Sequence, residues 1–505
     1  MISKIKTVAF AGMNPIEITV ESQISPGLAS FTIVGLPDKA VGEAKERIRS
    51  TFFQLGISFP AKKLIINMAP ADIPKAGSQY DLPIALAILG SMEIIDTTAL
   101  ENTISMGELG LDGSLSYVSG TICAAMLANE LGKALICPKV CEKEALWSGN
   151  KEIIAVPNIT SLLNHIKGIS QIISTELPIN SISPTEFGID MADVYGQLFA
   201  KRALEVAVSG GHNVLMIGSP GSGKSMLASR VRTIAPLLSS KEALETTCIY
   251  SLAGMLPKEG LIYTPPYREP HCSASLISMI GGGSDAKPGE LSLAHNGFLF
   301  LDELPEFQRS VIDALRQPLE TNEVTISRAK EHITYPANIQ LIAAMNPCKC
   351  GFYGEPKRQC SKAPKCALEY RNRISGPILD RFDIVIYVNS IKPNELFEEG
   401  QREKSAVIQK RVENVRNIQK ERASKSGFIN YLNGKSVGKY LDEITKLDTD
   451  LRLFFNKAIS HVNLSTRGCR KILKVARTIA DMEFSKSIQK HHISEALQYR
   501  LLDIN

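Results

Sequence analysis

No run of apolar residues in this 505-residue chain approaches the ~20 needed to cross a bilayer. The opening residues, Met1-Ile2-Ser3-Lys4-Ile5-Lys6, lead into a short alternating stretch, with none of the unbroken apolar core of a secretory signal. A membrane partner and a secreted product are therefore not expected, and the expected location is cytoplasmic. Internal repeats and low-complexity tracts are also missing, which excludes a solenoid. Net charge is small: 57 Lys/Arg against 52 Asp/Glu leave +5, which alone predicts nothing. Ten cysteines in a chain of this kind point to free thiols or metal, not disulfides.

What is present is an ordinary globular composition, 44% hydrophobic and 22% charged, so wholesale disorder is excluded. The length suggests two to four domains at roughly 150 residues each. Charge is unevenly spread: residues 392–505 carry 22 Lys/Arg and 14 Asp/Glu, and the rest of the chain is slightly acidic. A basic C-terminal region fits nucleic acid, and equally a solvated helical face. Residues 1–168 alternate short apolar runs (Thr7–Ala11, Ile16–Val20, Ser30–Val34, Lys63–Met68) with helical patterns at Lys39–Phe53 and Asp81–Gly90, predicting a mixed α/β domain. Residues 169–190 carry Pro, Ser and Asn without periodicity and read as a linker. Residues 191–391 alternate strands and helices with Gly-rich loops, predicting a parallel sheet. Residues 392–505 read as helical, long and charged over Glu395–Lys425 and amphipathic over Leu464–Asp481.

The sharpest motif is Gly218-Ser219-Pro220-Gly221-Ser222-Gly223-Lys224-Ser225, which satisfies G-x-x-x-x-G-K-[ST] in full. An apolar strand, Asn213–Ile217, precedes it and a helix, Ser225–Ile234, follows. Glycines let backbone N–H groups wrap a phosphate, and the helix N-terminus adds its dipole. The expected nucleotide cradle runs from Gly218 through Met226. Lys224 is placed to reach the β/γ-phosphates and the Ser225 hydroxyl to bind Mg²⁺. Further on, Gly297-Phe-Leu-Phe-Leu301-Asp302-Glu303 reads as a buried strand ending in two carboxylates. Asp302 suits the Mg²⁺ shell and Glu303 suits a general base polarising water, which implies hydrolysis of a bound nucleoside triphosphate.

A third strand, Ile339–Met345, ends in Asn346, either a water-orienting amide near the γ-phosphate or a residue that merely ends the strand. Arg373, Arg381 and Arg467 follow. An arginine at the γ-phosphate stabilises transferring charge and, if supplied by a neighbour, couples hydrolysis to assembly. A surface ion pair is the commoner role of any one of them.

These residues carry a resemblance. The phosphate loop, Phe298–Glu303, Met345-Asn346-Pro347-Cys348 and Ser375-Gly-Pro-Ile-Leu-Asp-Arg381-Phe-Asp resemble the magnesium-chelatase-like branch of AAA+ ATPases. Over the whole chain the likeness narrows to the YifB/ComM family, through Asp193-Val-Tyr-Gly-Gln197, Gly210-Gly-His-Asn213, Gly281-Gly-Gly-Ser284, Pro288–Asn296 and Leu304-Pro-Glu-Phe307. By position the resemblance makes Asn346 the sensor-1 residue, Arg381 a finger acting in trans and Arg467 the sensor-2 arginine of a helical lid. It implies a homo-hexameric ring with ATP at each subunit boundary. Residues 1–168 look like the Lon-type protease (ribosomal S5 domain 2-like) fold, with Pro70-Ala-Asp-Ile-Pro-Lys75-Ala-Gly77 on the segment that bears the family's catalytic serine. Lys75 stands at the nucleophile position and Ile122 at that of the catalytic lysine, so proteolysis is not expected, and a ring-building or DNA-touching role is.

Cys348-Lys-Cys350-Gly351, then Cys360 and Cys366, crowd four thiols into one loop beside Lys349, Lys357, Arg358, Lys362 and Lys365. Four thiolates can give Zn²⁺ its tetrahedral shell, and reduced free thiols are the other reading. Val324–Ile333 reads as a β-hairpin that in related ring helicases enters the pore, where Arg328 and Lys330 would meet DNA phosphates. Tyr267 and Arg268, beside His271, form a second candidate for stacking on a base. The resemblance implies an ATP-driven DNA helicase promoting branch migration in natural transformation and homologous recombination, on single-stranded or branched DNA with recombination or competence proteins. The alternatives are a chelatase-type ATPase subunit or chaperone that remodels a protein partner and, least favoured, an ATP-dependent protease.

Overall fold

The computed structural model describes residues 2–175, 187–257, 260–283, 286–327, 332–354, 360–390, 402–428, 431–460 and 465–500. The fold is mixed α/β with a helical C-terminal region, as the alternation of elements predicts.

In the N-terminal region, Ile2–Ala11 and Asn14–Ser25 pair antiparallel, and Lys63–Ala69 joins Asn14–Ser25 on its far side. Ser30–Val34 then pairs parallel to Lys63–Ala69 at the sheet edge. Side chains alternate across the pleat, so Ile5, Ile18, Val20, Leu64, Ile66 and Met68 all reach one core. Asp81–Ser91 packs there with every residue buried, the expected fate of a helix without a polar face. Lys39–Gln54 starts at Asp38, whose carboxylate accepts from the Val41 N–H at 2.8 Å. Its Arg47 grips Asp81 with two hydrogen bonds of 2.6 and 3.0 Å. A second, smaller parallel sheet orders Thr103–Ser105, Ala134–Pro138 and Ile153–Val156.

The expected linker falls partly outside the described residues, at 176–186. The chain resumes helical turns at Met191–Asp193, opened by a reciprocal Asp190/Asp193 capping box.

Five parallel strands form the central sheet, ordered Tyr267–Arg268, Phe298–Leu301, Gln340–Met345, Val214–Ile217, Ile384–Tyr387. The middle three are buried on both faces, which is why each reads as a continuous apolar run. C-terminal helices Ser405–Lys425, Thr466–Met482 and Lys490–Gln498 share a core with this sheet: Ile472, Val475 and Ile479 pack in one cluster with Val214, Met216 and Leu204. The stretch expected to be helical from Glu395 begins as helix at Ser405; residues 391–401 lie outside the described residues.

A buried ion pair fixes these helices at the amino-terminal end of the sheet. Lys471 Nζ lies 3.2 Å from Asp383, just before strand Ile384–Tyr387, and donates to the Phe382 carbonyl. Asp383 also accepts from the Asn213 N–H at 3.2 Å. Burial pushes the Asp383 carboxyl up, but Lys471 and His212 outweigh it and hold the group below the usual carboxylate range.

The N-terminal region docks on helix Ser240–Leu252 through Ile122, Cys123, Phe10 and Trp147, packed on Cys248 and Leu252. Glu144 is buried there, accepting from the Ile122 N–H at 3.1 Å and from the Ser251 hydroxyl, while the Gly120 N–H donates to Ser251 Oγ at 2.9 Å. Burial raises the Glu144 carboxyl above its ordinary range. Ile122 is thus core of a contact between regions. Lys75 is also fully buried, donating to the Pro70 carbonyl, and burial lowers its pKa.

Candidate active site

Strand Val214–Ile217 delivers the chain to Gly218, whose backbone runs so close to Val388 that a Cβ would stand 2.3 Å from the Val388 carbonyl oxygen. Gly221 and Gly223 have φ of +79° and +92°, open to glycine at little cost. The loop is further tied by Gly218 N–H to the Met345 carbonyl (3.2 Å) and by Ser219 Oγ to Ser390 Oγ (3.0 Å). Helix Lys224–Ile234 then starts at the loop, its first N–H groups lacking intrahelical partners. This is the carboxyl end of a parallel sheet, where such folds bind ligands.

Lys224 is buried and donates to the carbonyls of Gly218 (2.7 Å) and Ser219 (3.0 Å) and to Asn346 Oδ1 (3.2 Å). Burial lowers its pKa, opposed by the negative charges of Asp302 and Glu303. Ser225 Oγ donates to Asp302 Oδ2 at 2.6 Å. Glu303 follows in a left-handed conformation, φ +52°, its N–H donating to Asp302 Oδ1 at 2.9 Å. A non-glycine residue held there carries roughly 1–2 kcal/mol of strain, a cost often met where a side chain must point a particular way. So Gly218–Ser225, Asp302, Glu303 and Asn346, drawn from three strand ends, converge on one place. Met226 continues the helix with its side chain about half exposed.

Arg381 and Arg467 are elsewhere. The Arg381 carbonyl accepts from Asn213 Nδ2 at 3.1 Å, which fixes it at the amino-terminal end of the sheet. Asn213 and Gly218 are five residue-to-residue steps apart along extended chain, about 16 Å at ~3.3 Å per step. Arg381 pairs with Glu320, and Arg467, capped into its helix by Ser465, reaches the same Glu320 oxygen at 3.8 Å. The two arginines therefore stand together on the side away from their own phosphate loop. Arg373 pairs with Glu306 at 2.9 Å.

Arg328 and Lys330 lie outside the described residues; the hairpin that carries them is built from Glu323–Ser327 and His332–Pro336. The second DNA candidate is engaged internally: Arg268 makes two 2.7 Å hydrogen bonds to Glu290, and Tyr267 stacks on Phe300. The four cysteines Cys348, Cys350, Cys360 and Cys366 do meet, each sulfur within 4.8 Å of the others. The Phe352 N–H and the neighbouring thiols Cys348 and Cys360 draw the Cys350 thiol down to about 7. Three residues have no motif of their own in the sequence, two at the site and one behind the sheet. Gln197, at φ +54°, donates to the carbonyls of Asn389 (2.6 Å) and Ser222 (3.3 Å), bridging the loop to the last strand. Glu269, its carboxyl raised first by desolvation and then by Asp302, directly follows strand Tyr267–Arg268 at the same carboxyl end of the sheet. Glu320 holds both rear arginines. Only the family-like Asp193–Gln197 string hinted at the first.

A phosphate-binding loop, an Asp-Glu strand end and this strand order define an ATPase of the AAA+ type. Three families match in sequence: "Magnesium chelatase, subunit ChlI" over residues 190–396, "Subunit ChlI of Mg-chelatase" over 20–140 and "Magnesium chelatase, subunit ChlI C-terminal" over 402–500. The chain is 42% identical over 500 residues to the uncharacterized protein YifB of Salmonella typhimurium, covering 99% of this chain and 97% of that one. It is 41% identical over 491 residues to the competence protein ComM of Haemophilus influenzae, covering 96% and 94%. A weaker likeness, 22% over 322 residues, links 61% of the chain to 34% of the DNA replication licensing factor MCM4 of Arabidopsis thaliana. The chain belongs to the YifB/ComM family of magnesium-chelatase-like AAA+ ATPases. That family implies ATP and Mg²⁺. Ser225 and Asp302 fit the ion, being adjacent hard oxygen donors of the kind Mg²⁺ takes alongside substrate phosphates. Among the described residues no helix is long and apolar enough to cross a membrane.

Proposed function

We propose that this chain is an ATP-hydrolysing ring motor acting on DNA, a helicase or branch-migration factor of the cytoplasm serving natural transformation and recombination. The observation that carries the reading is the near full-length likeness to a competence protein, supported by the fainter likeness to a DNA replication licensing factor. In this reading Lys224 and the loop N–H groups hold the triphosphate. Ser225 and Asp302 hold Mg²⁺, which when bound neutralises phosphate charge. Glu303 accepts the proton of the attacking water, and Asn346, already hydrogen-bonded to Lys224, orients that water.

Arg381 and Arg467 act on the neighbouring subunit's nucleotide. Their shared position on Glu320, a sheet's length from their own loop, supports action in trans for both. That arrangement requires a head-to-tail ring, taken to be a hexamer, with each ATP at a boundary. Arg328 and Lys330, between strands Glu323–Ser327 and His332–Pro336 in the sequence, carry DNA through phosphate contacts, without sequence preference. Lys75 and Ile122 serve packing, and the N-terminal region braces the ATPase core instead of cleaving peptides.

The four thiols hold a structural Zn²⁺. Zn–S bonds of about 2.3 Å in a tetrahedron put sulfurs about 3.8 Å apart, a spacing the cluster can meet. The second reading, a chelatase-type subunit remodelling a protein, is favoured by the match to three magnesium-chelatase ChlI families. Addition of single-stranded or junction DNA to the ATPase assay separates the two. The motor reading requires stimulation, and a DNA-indifferent rate refutes it.

A further inference from the structure

The cysteine cluster is not a detached knuckle. Its first two sulfurs, 3.1 Å apart, belong to Cys348 and Cys350, which follow directly from the strand end that carries Asn346. Cys348 is fully buried. The Cys348 carbonyl accepts from the Gly351 N–H at 2.9 Å, closing a tight turn in which Gly351 has φ +87°. That turn lies on the phosphate loop: a Cβ placed on Gly351 would stand 2.5 and 2.6 Å from the Cδ and Cγ of Pro220. The Met345–Gly351 segment therefore touches the loop at three places. These are the Met345 carbonyl with Gly218 N–H, the Asn346 amide with Lys224, and Gly351 against Pro220.

From this juxtaposition we infer that the Cys348–Cys350–Cys360–Cys366 cluster is a Zn²⁺ site that braces the phosphate-binding loop, so that nucleotide affinity depends on metal occupancy. The inference rests on the nucleotide and zinc readings above. Pro220 has no N–H to spend on a loop hydrogen bond and meets Gly351 by ring packing, so a shift of the turn passes directly to the loop. Cys360 and Cys366 come from a separate segment, Cys366 from the first turn of helix Lys365–Arg371. An ion shared by all four thiolates would lock the turn to that helix, with release of the thiol protons on binding. Without it, the turn and Pro220 would be free to move together, and ATP would have to order the loop as it binds. Ordering roughly one further residue of backbone on binding corresponds to about a tenfold loss of affinity.

The test uses full-length protein, zinc content by metal analysis after growth with added Zn²⁺, and the Kd of a fluorescent ATP analogue. Wild type should carry one zinc per chain. The Cys360→Ser/Cys366→Ser double variant alters only the far pair of thiols; it should lose zinc and bind the analogue about tenfold more weakly. Gly351→Ala keeps all four thiols and presses a methyl on Pro220, so it should keep zinc yet weaken the analogue, and it decides the matter if the double variant does not fold. Zinc lost with an unchanged Kd, or an unchanged Kd in Gly351→Ala, overturns the bracing. Absence of zinc from wild type that binds the analogue normally overturns the metal reading itself. Failure of wild type to bind the analogue at all would instead overturn the nucleotide reading.

Discussion

Replacement of Arg381 by alanine isolates the claim that each active site is completed by its neighbour. The Arg381 backbone hangs from Asn213, at the opposite end of strand Val214–Ile217 from Gly218. About 16 Å of extended backbone lies between them, and the Arg381 side chain is held by Glu320, so Arg381 does not serve its own loop. Removal of an arginine from a transferring γ-phosphate costs about 10³-fold or more in kcat. Arg381→Ala should therefore bind ATP like wild type and hydrolyse it about 10³-fold more slowly. Lys224→Ala should fail to hold nucleotide while still presenting its own Arg381 to the next subunit. If the two variants assemble at random in equal amounts, an intact loop meets an intact arginine at about a quarter of the head-to-tail boundaries. Steady-state phosphate release from the mixture should then recover to about a quarter of the wild-type rate if sites act independently. The reasoning is refuted if Arg381→Ala alone turns over normally, or if mixtures that demonstrably co-assemble stay as inactive as their parts.

Glu303→Gln keeps the shape of the strained residue and removes the base; ATP should bind, and single-turnover hydrolysis should fall by about 10²–10⁴-fold. Asp383→Asn leaves Lys471 buried without its counter-charge, a loss of about 3 kcal/mol that should lower Tm by roughly 5–10 °C at pH 7. Because the folded pKa of Asp383 lies below its ordinary value, this stabilisation is complete above about pH 4 and fades as pH falls through the folded value. Melting curves should accordingly show the gap between wild type and variant closing in acid. Ile122→Lys, which restores the residue type of proteolytic relatives, buries an ammonium against Cys248 and Leu252; limited trypsinolysis should cut between the two regions sooner, with no peptidase activity gained.

The phosphate loop was legible because its chemistry is local: glycines that admit left-handed backbone, an apolar strand before and a helix after. Asp302 and Asn346 were legible for the same reason, each closing a strand whose run of buried residues announces it. The meeting of Arg381 with Arg467 on Glu320 was not. It depends on how helix Thr466–Met482 seats behind the sheet, through Lys471 on Asp383, a pairing between distant segments that no short pattern encodes. The internal partners of Tyr267 and Arg268 are hidden for a related reason, since an aromatic beside a cation looks alike in sequence whether it faces a base or Phe300 and Glu290. The cysteine spacing suggested a metal, but the contact of Gly351 with Pro220 appears only when the turn is folded onto the loop.

The measurement that bears most directly on the central claim is branch migration of a labelled three-stranded or four-way DNA junction with ATP and Mg²⁺, comparing wild type with Glu303→Gln. The account predicts strand exchange by wild type that requires ATP and is lost in the variant. Healthy ATP hydrolysis that DNA does not stimulate, with no strand exchange, would contradict it and direct the search to a protein client.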